Sequence, residues 1–128
     1  HNCRGTVTVD DPVGLGSYGM DSHNCRRYVR DGRVMNEGDV QVGGFPPYPI
    51  PYRSIVPRRG QCANLLVPVC LSASHIAYGS ARMEPVFMVL GQSAALAADM
   101  SLRSGTPVQN VPYPELRSRL LQAGQIVQ

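Results

Sequence analysis

Two histidines and one arginine are the side chains best suited to acid–base or anion chemistry. His75 lies in a small, polar segment, residues 72–80, and His23 lies within the sequence Asp-Ser-His-Asn. Histidine exchanges a proton near neutral pH, so either imidazole could act as an acid, a base or a hydrogen-bond donor. A structural role, with the ring held by backbone groups, explains His75 equally well. Arg53 follows a proline-rich segment and is a candidate clamp for an anion.

The four cysteines do not form a metal-binding pattern. They lie at wide, irregular spacing, without a C-x-x-C pair and without a paired histidine. A zinc site needs ligands clustered at short spacing, so we expect no metal. Disulfides are disfavoured because the chain is long enough to hold a core without them, although the even number leaves pairing open. The residues are Cys3, Cys25, Cys62 and Cys70.

A long apolar helix offers a second kind of chemistry at its start. The pattern predicts a helix from Glu84 to about Leu102, with Pro85 in its first turn and Gly105 beyond its end. Amides in the first turn lack an intrahelical acceptor and carry partial positive charge, so they can receive a phosphate or an electron-rich carbonyl. Capping by the preceding loop or by water is the alternative. The amides are those of Val86, Phe87 and Met88.

This helix needs cover on most of its sides. Gly91, Ala95 and Ala98 form a small-residue face that would let its backbone approach a sheet or another helix closely. Beside it lies an apolar face that contains Leu90 and Ala94. A second helix is predicted from about Tyr113 to Ala123.

Short strands are predicted elsewhere. They span residues 6–9, 25–29, 34–42, 65–71 and 125–127, with Asp31-Gly32 as the hairpin turn between the second and third. The glycines of segment 14–19 have the G-x-G-x-x-G spacing, but no helical pattern follows, so we interpret it as a flexible loop or bulged strand. Prolines make segment 45–52 extended and unsuited to an internal strand. It is either a rigid connector or a stiff loop that holds residues 52–54.

Composition limits the functional classes. The chain has 128 residues, of which 43% are hydrophobic and 16% charged. These values favour one folded domain over disorder. The net charge of +3 comes from twelve arginines spread along the chain, so we expect no nucleic-acid partner. The longest apolar stretch, residues 86–98, is too short to span a bilayer, and we expect no membrane association.

Three stretches carry a resemblance to known proteins. They are residues 48–57 (YPIPYRSIVP), 64–75 (NLLVPVCLSASH) and 82–95 (RMEPVFMVLGQSAA). They closely resemble the C-terminal part of a family of bacterial FAD-dependent oxidoreductases with a glutathione-reductase-like flavin fold, some of which are labelled xanthan lyase. The similarity covers about residues 10–128.

The resemblance implies a fold and a site. The fold is α+β, part of a flavoprotein: short, mainly antiparallel strands, then an apolar strand and two C-terminal helices. Residues 1–64 would be a β-rich, substrate-domain-like part with the proline-rich loop, and residues 65–128 a flavin-contacting part, together one compact unit. His75, His23 and Arg53 would be catalytic candidates. The flavin-contacting residues would be Ser72, Ser74, Arg82, Met83, Glu84, Pro85, Val86, Phe87, Met88 and Gly91.

One departure from the family pattern bears on activity. No strand, G-x-G-x-x-G and helix occur in succession, and that unit holds the ADP half of FAD. We therefore expect a C-terminal segment that binds FAD in a full-length context, does not bind it tightly alone, and is inactive alone. Its partner would be an N-terminal FAD-binding domain or another copy of the chain.

A non-enzymatic binding or assembly module is the alternative function. An apolar helix without its former partner would form an interface, which predicts a homo-oligomer with the 85–102 helix at or near the contact. No signal peptide opens the chain, and any targeting signal would lie upstream, so the compartment stays open.

Overall fold

Short strands occupy the first part of the chain and helices the last. A computed structural model describes residues 8–127. Within them, the strands are β1 (Pro12–Gly16), β2 (Met20–Ser22), β3 (Arg26–Arg30), β4 (Arg33–Glu37), β5 (Val40–Val42) and β6 (Tyr48–Pro51). The helices are α1 (His75–Ala81), α2 (Glu84–Ser104) and α3 (Tyr113–Gln122), and short 3-10 turns lie at Tyr52–Ser54 and Val108–Asn110. The expected α+β class is confirmed.

The strands form antiparallel pairs rather than one broad sheet. β1 pairs with β6, β2 with β5 and β3 with β4. The β3–β4 hairpin turns at Asp31 and Gly32, whose φ values are 53° and 70°. An Asp-Gly pair suits this turn because both positions need positive φ. The predicted hairpin turn is confirmed, and the predicted strand over 34–42 is divided into β4 and β5.

The glycine-spaced segment 14–19 begins in a bulged strand. The register of β1 against β6 is irregular between Pro12 and Gly14, and Val13 lies fully buried at this point. A bulge leaves backbone groups without their ladder partners. Here the Val13 carbonyl accepts hydrogen bonds from Ser93 Oγ at 2.6 Å and from Gln125 Nε2. The bulged-strand interpretation is confirmed, and β2, not a helix, follows the segment.

The proline-rich segment provides β6, whose one strand partner among the described residues is β1. Tyr48 and Ile50 are buried, and they alternate with Pro49 and Pro51. Proline has no N–H to donate, so a strand of this composition suits an edge position. The expectation that this segment is extended but not an internal strand is confirmed.

Both predicted long helices are confirmed. Pro85 and Pro114 lie in the first turns of α2 and α3. Gly105 and Gly124, with φ of 63° and 76°, follow their ends, where the left-handed conformation favours glycine. The core between these helices, β1 and β6 contains Val13, Tyr48, Ile50, Tyr52, Ile55, Leu71, Ala81, Val86, Leu90, Ala94, Ala97, Val111, Leu116, Leu120 and Val127.

The buried face of α2 is only partly the expected one. Leu90 and Ala94 are buried, as the apolar pattern indicates. The small-residue face is mostly open, because a Cβ atom built on Gly91 would meet nothing within 4 Å and Ala95 is exposed, whereas Ala98 is half-buried. Within residues 8–127, no sheet or helix therefore packs closely against Gly91 and Ala95.

The apolar run 65–71 is not a strand, so this prediction was wrong. Its backbone follows the 3-10 turn at 52–54 instead, with the Val67 N–H donating to the Ile55 carbonyl at 2.8 Å. Pro68 interrupts the run and has no N–H for a sheet ladder. Leu71 alone in this segment is buried. Burial therefore comes from one side chain rather than from a continuous strand.

Three smaller expectations also need correction. The segment 72–80 is not all loop, because α1 begins at His75. Residues 125–127 form no strand, although Gln125 and Val127 are buried. Of the predicted strand 6–9, residues 6 and 7 lie outside the described residues, and residues 8 and 9 are not in a strand. The division of the chain at residue 64 stays a prediction.

Candidate functional site

A cleft of about 310 Å³ lies between β2, β5 and α1. It brings together three of the residues singled out in the sequence, His23, His75 and Arg82, although more than fifty positions separate the first from the others. Small-molecule sites are concave and carry a few polar groups on an apolar lining. The remaining lining residues are Met20, Asp21, Ser22, Val40, Ile76, Tyr78 and Gly79.

His75 is placed in this cleft by the start of α1. Ser74 is the N-cap residue, and its Oγ accepts a hydrogen bond from the Ala77 N–H at 3.2 Å. Serine caps are favoured because they satisfy an amide that has no intrahelical partner. His75 therefore stands in the first turn of a capped helix rather than in a free loop.

Glycine brings α1 close to β2. A Cβ atom on Gly79 would lie 3.1 Å from both the Asp21 carbonyl oxygen and the Met20 side chain. The absence of a side chain at Gly79 thus permits the close contact that forms the floor of the cleft. Met20 is buried there.

A charged chain of hydrogen bonds ties the two walls together. Arg82 Nη2 donates to Asp21 Oδ1 at 2.6 Å, and the Tyr18 hydroxyl donates to Asp21 Oδ2 at 2.9 Å. Arg82 is the C-cap residue of α1, and Asp21 is the central residue of β2. Hydrogen bonds to a charged partner are shorter and stronger than neutral ones, so this pair orients both side chains.

These contacts also set the charge of the pair. The hydrogen bond from Tyr18, followed by that from Arg82, lowers the pKa of Asp21. The same hydrogen bond to Asp21 raises the pKa of Tyr18. Asp21 is therefore a carboxylate at neutral pH, with both oxygens occupied, and is poorly suited to act as a base.

The two histidines differ from the other polar groups of the cleft. Both are exposed, and neither imidazole has a hydrogen-bond partner among residues 8–127. The alternative in which backbone groups hold the His75 ring is thus not formed in this part of the chain. Both rings can accept or donate a proton to a bound molecule.

Arg53, Ser72 and Ser74 line a different cleft, of about 300 Å³. Arg53 Nη1 is bonded to Asp11 Oδ1 at 2.7 Å, which fixes the orientation of its guanidinium. Ser74 and Ala77 lie on the face of α1 that borders this cleft, whereas His75 borders the first one. The structure therefore does not bring Arg53 together with the two histidines.

The start of α2 follows directly after Arg82. Met83 is its N-cap residue and makes no capping hydrogen bond through its side chain, in contrast to Ser74 of α1. Val86 is buried, and the ring centroid of Phe87 lies 6.5 Å from that of Tyr78, a residue of the cleft.

The first turn of α2 is open in other respects too. Met88 is 75% exposed, and Gly91 borders open space. Glu84 and Pro85 are exposed as well. The Phe87 amide donates to the Met83 carbonyl at 3.1 Å, so the expectation that it is free was wrong. The Val86 amide precedes this bond and has no side-chain cap, so it can bind an electron-rich group, although the carboxylate of Glu84 lies in the same turn.

Sequence reasoning missed Tyr18, Asp21 and Asp11 as partners of site residues. Each forms its bond by side-chain geometry that no local pattern encodes. Asp21 had a signal, since it stands two positions before His23 in the same short polar segment.

Metal and membrane features are limited in the described part of the chain. Residues 8–127 contain no cluster of three or more histidine, cysteine or acidic side chains that could hold a metal ion, and Cys25, Cys62 and Cys70 are free thiols.

Helix α2 is long and apolar enough to cross a membrane by length and composition. Leu90 and Ala97 of this helix pack into the core, while 28% of its apolar window is buried.

Comparison with known proteins gives one family. A family model described as FAD dependent oxidoreductase matches residues 1–120. Neither the curated proteins nor the solved structures contain a significant match.

Proposed function

The chain belongs to the FAD-dependent oxidoreductase family, and from this premise we propose that it forms the flavin-facing side of an oxidoreductase active site. One observation carries the proposal. A single cleft gathers His23, His75 and Arg82 beside the helix start that lacks a side-chain cap.

The residues present fit part of FAD. The Val86 amide at the start of α2, which no side chain caps, and the Arg82 guanidinium suit the electron-rich edge of an isoalloxazine ring, and Gly91 leaves room beside the helix. The glycines of segment 14–19 lie in and after β1, so they do not form a phosphate cradle. We propose as contact residues Ser72, Ser74, Arg82, Met83, Glu84, Pro85, Val86, Phe87, Met88 and Gly91.

The chemistry divides between cofactor and chain. Bound flavin supplies two-electron transfer. His75 and His23 hold or accept a substrate proton at their imidazole nitrogens, which form no hydrogen bond within the described residues. Arg82 stays oriented by Asp21 and stabilises negative charge in the cleft. Arg53, in the neighbouring cleft, positions a more distant anionic group.

A second polypeptide surface completes the proposed site. The missing contribution is a domain that binds the ADP half of FAD, either an N-terminal FAD-binding domain or, in an oligomer, another copy of the chain. Exposed apolar residues on α2 suit such contact, since Met88 is 75% and Leu102 is 81% exposed. Alone, the chain binds FAD weakly and is inactive.

Flavin fluorescence and thermal unfolding test the proposal. FAD is titrated into the chain alone and into the chain mixed with a nucleotide-binding domain from a family member. We expect little change in fluorescence or melting temperature in the first case and a clear change in both in the second. Absence of any change in the mixture contradicts the flavin-contacting role.

An arginine pair gives a matched control. Arg82→Gln removes a positive charge beside the proposed ring position and should lower the flavin reduction potential in the complex. Arg103→Gln removes an exposed arginine paired with Asp99, near the far end of α2, and should leave the potential unchanged. Equal potentials for the two variants contradict the role of Arg82.

The exposed face of α2 favours one alternative, a non-enzymatic assembly module. In this case the chain self-associates through α2 and takes up no flavin under any condition. Light scattering that gives a 13.9 kDa monomer contradicts the module. An oligomer whose mass falls after Leu102→Ser, without flavin binding in any mixture, supports it.

A further inference from the structure

In the cleft between β2, β5 and α1, the oxygen-bearing and nitrogen-bearing side chains differ in whether they are already hydrogen-bonded. Its oxygen groups are already bonded within the chain. Asp21 accepts from Arg82 and Tyr18, and Ser22 Oγ donates to the Gly38 carbonyl at 2.7 Å. The Tyr78 hydroxyl, also in the lining, donates to the Val69 carbonyl at 3.1 Å.

The nitrogen groups, by contrast, are available. The imidazoles of His23 and His75 make no hydrogen bond within residues 8–127, although His23 lies near enough to Asp21 to lower the pKa of that carboxyl. Arg82 uses Nη2 for Asp21 and Nε for the Gly79 carbonyl, while Nη1 has no acceptor in the same part of the chain. Three nitrogen-bearing side chains therefore face a space in which the carboxylate and hydroxyl oxygens are occupied.

The rest of the lining is apolar. Met20 forms the buried floor, and Val40 and Ile76, on opposite walls, are 47% and 57% exposed. Apolar side chains of this size left open at a concave site gain free energy when a ligand covers them. The volume of about 310 Å³ suits a small molecule rather than a chain segment.

We infer that this cleft binds a small carboxylate with a compact apolar body. The carboxylate oxygens accept hydrogen bonds from Arg82 and the histidines, and the apolar body lies against Ile76 and Val40. Asp21 already fixes the orientation of the Arg82 guanidinium. Arg82 can therefore bind the oxygen of a ligand carboxylate without losing further side-chain entropy. This inference rests on the proposed function, since it assigns the substrate class to the same site.

Two probes of equal shape test the inference on the chain without flavin. Phenylacetate carries the carboxylate, and phenylacetamide replaces it by a neutral amide. Binding is followed by the NMR shifts of the histidine ring protons and of the Ile76 methyl groups. We expect saturable shifts with phenylacetate and at least about tenfold weaker binding of phenylacetamide. Equal affinities, or no saturable shift with phenylacetate, overturn the inference.

Variants locate the carboxylate. Arg82→Gln should weaken phenylacetate binding by about tenfold, and Arg103→Gln should leave it unchanged. If Arg82→Gln unfolds the chain, His75→Gln serves instead, because His75 is exposed. This variant should weaken the binding of phenylacetate but not the binding of phenylacetamide. A His75→Gln variant that binds phenylacetate like the unchanged chain overturns the assignment.

The outcomes separate this inference from the proposed function. Carboxylate binding without any flavin response in the two-domain mixture leaves the ligand class standing and removes the flavin-facing role. A flavin response without carboxylate binding removes only the ligand class.

Discussion

Two regions of the molecule differ in how much of their apolar side-chain surface is buried. In the core region, formed by β1, β6, α2 and α3, the side chains of Val13, Leu90, Leu116 and Leu120 are fully buried. In the ribbon, formed by β3 and β4, every residue except the half-buried Tyr28 is exposed, and Val29 and Val34 are 71% and 66% exposed.

The contrast shows which region is stabilised by packing within the chain itself. The core region buries a continuous apolar cluster, whereas an isolated two-stranded hairpin is only marginally stable in water. The candidate cleft is lined by neither region and has one wall on β2 and β5 and the other on α1. Stability is thus concentrated away from the site, and the exposed side is available to ligands and partners.

The largest expected effect is a cavity in the core region. Leu90→Ala should lower the free energy of unfolding by about 2–5 kcal/mol, because Leu90 is fully buried and neighbours collapse only partly into the space. Val29→Ala in the ribbon should change it by less than about 0.5 kcal/mol. Urea unfolding measures both. Equal losses would abolish the distinction between the regions.

The next effect tests the close packing of β1 against α2. A Cβ atom on Gly14 would lie 2.5 Å from Val89 Cγ1, so Gly14→Ala forces a stiff, β-branched side chain to move. We expect a loss of about 1–3 kcal/mol in urea unfolding. Gly43→Ala is the matched control, since nothing lies within 4 Å of its Cβ position. A stability of Gly14→Ala equal to that control would contradict the packing.

A third test uses alkaline pH. Burial raises the pKa of Tyr52 to about 12, and its hydroxyl donates to the Val108 carbonyl at 2.8 Å. The unfolded chain loses this proton near pH 10, so the stabilising contribution is complete below about pH 10 and declines as the pH rises towards about 12. Melting temperatures should fall across this interval, and Tyr52→Phe should make the fall shallower. An unchanged slope would show that Tyr52 is not the group responsible.

The smallest expected effect has the opposite sign. Gly91→Ala should stabilise the isolated chain by about 0.5–1 kcal/mol, because alanine favours the helix and its Cβ meets nothing. In the mixture with the nucleotide-binding domain, the same change should weaken FAD binding if this face lies against the cofactor domain. Thermal unfolding and flavin titration measure the two effects. A destabilised isolated chain would mean that Gly91 is packed after all.

Local signals predicted those parts of the fold that depend on near neighbours. The prolines in the first turns and the glycines beyond the ends predicted α2 and α3, and Asp31-Gly32 predicted the hairpin. The apolar run 65–71 misled, because apolarity alone does not distinguish a strand from an irregular segment whose backbone bonds to a distant turn.

The sequence predicted individual residues of the candidate site but not their arrangement in space. His23, His75 and Arg82 were each singled out, but nothing local indicates that β2 lies against α1 or that Asp21 holds Arg82 across 61 positions. Arg53 was grouped with the histidines and lies in a different cleft.

The order of residues by itself determined the two long helices α2 and α3, the tight turn and the family, because each depends on side chains within a few positions or on extended sequence similarity. Only the tertiary structure decided which polar groups share a cleft and which are already bonded. Contacts between distant segments form through packing of the whole chain, and no short pattern contains them.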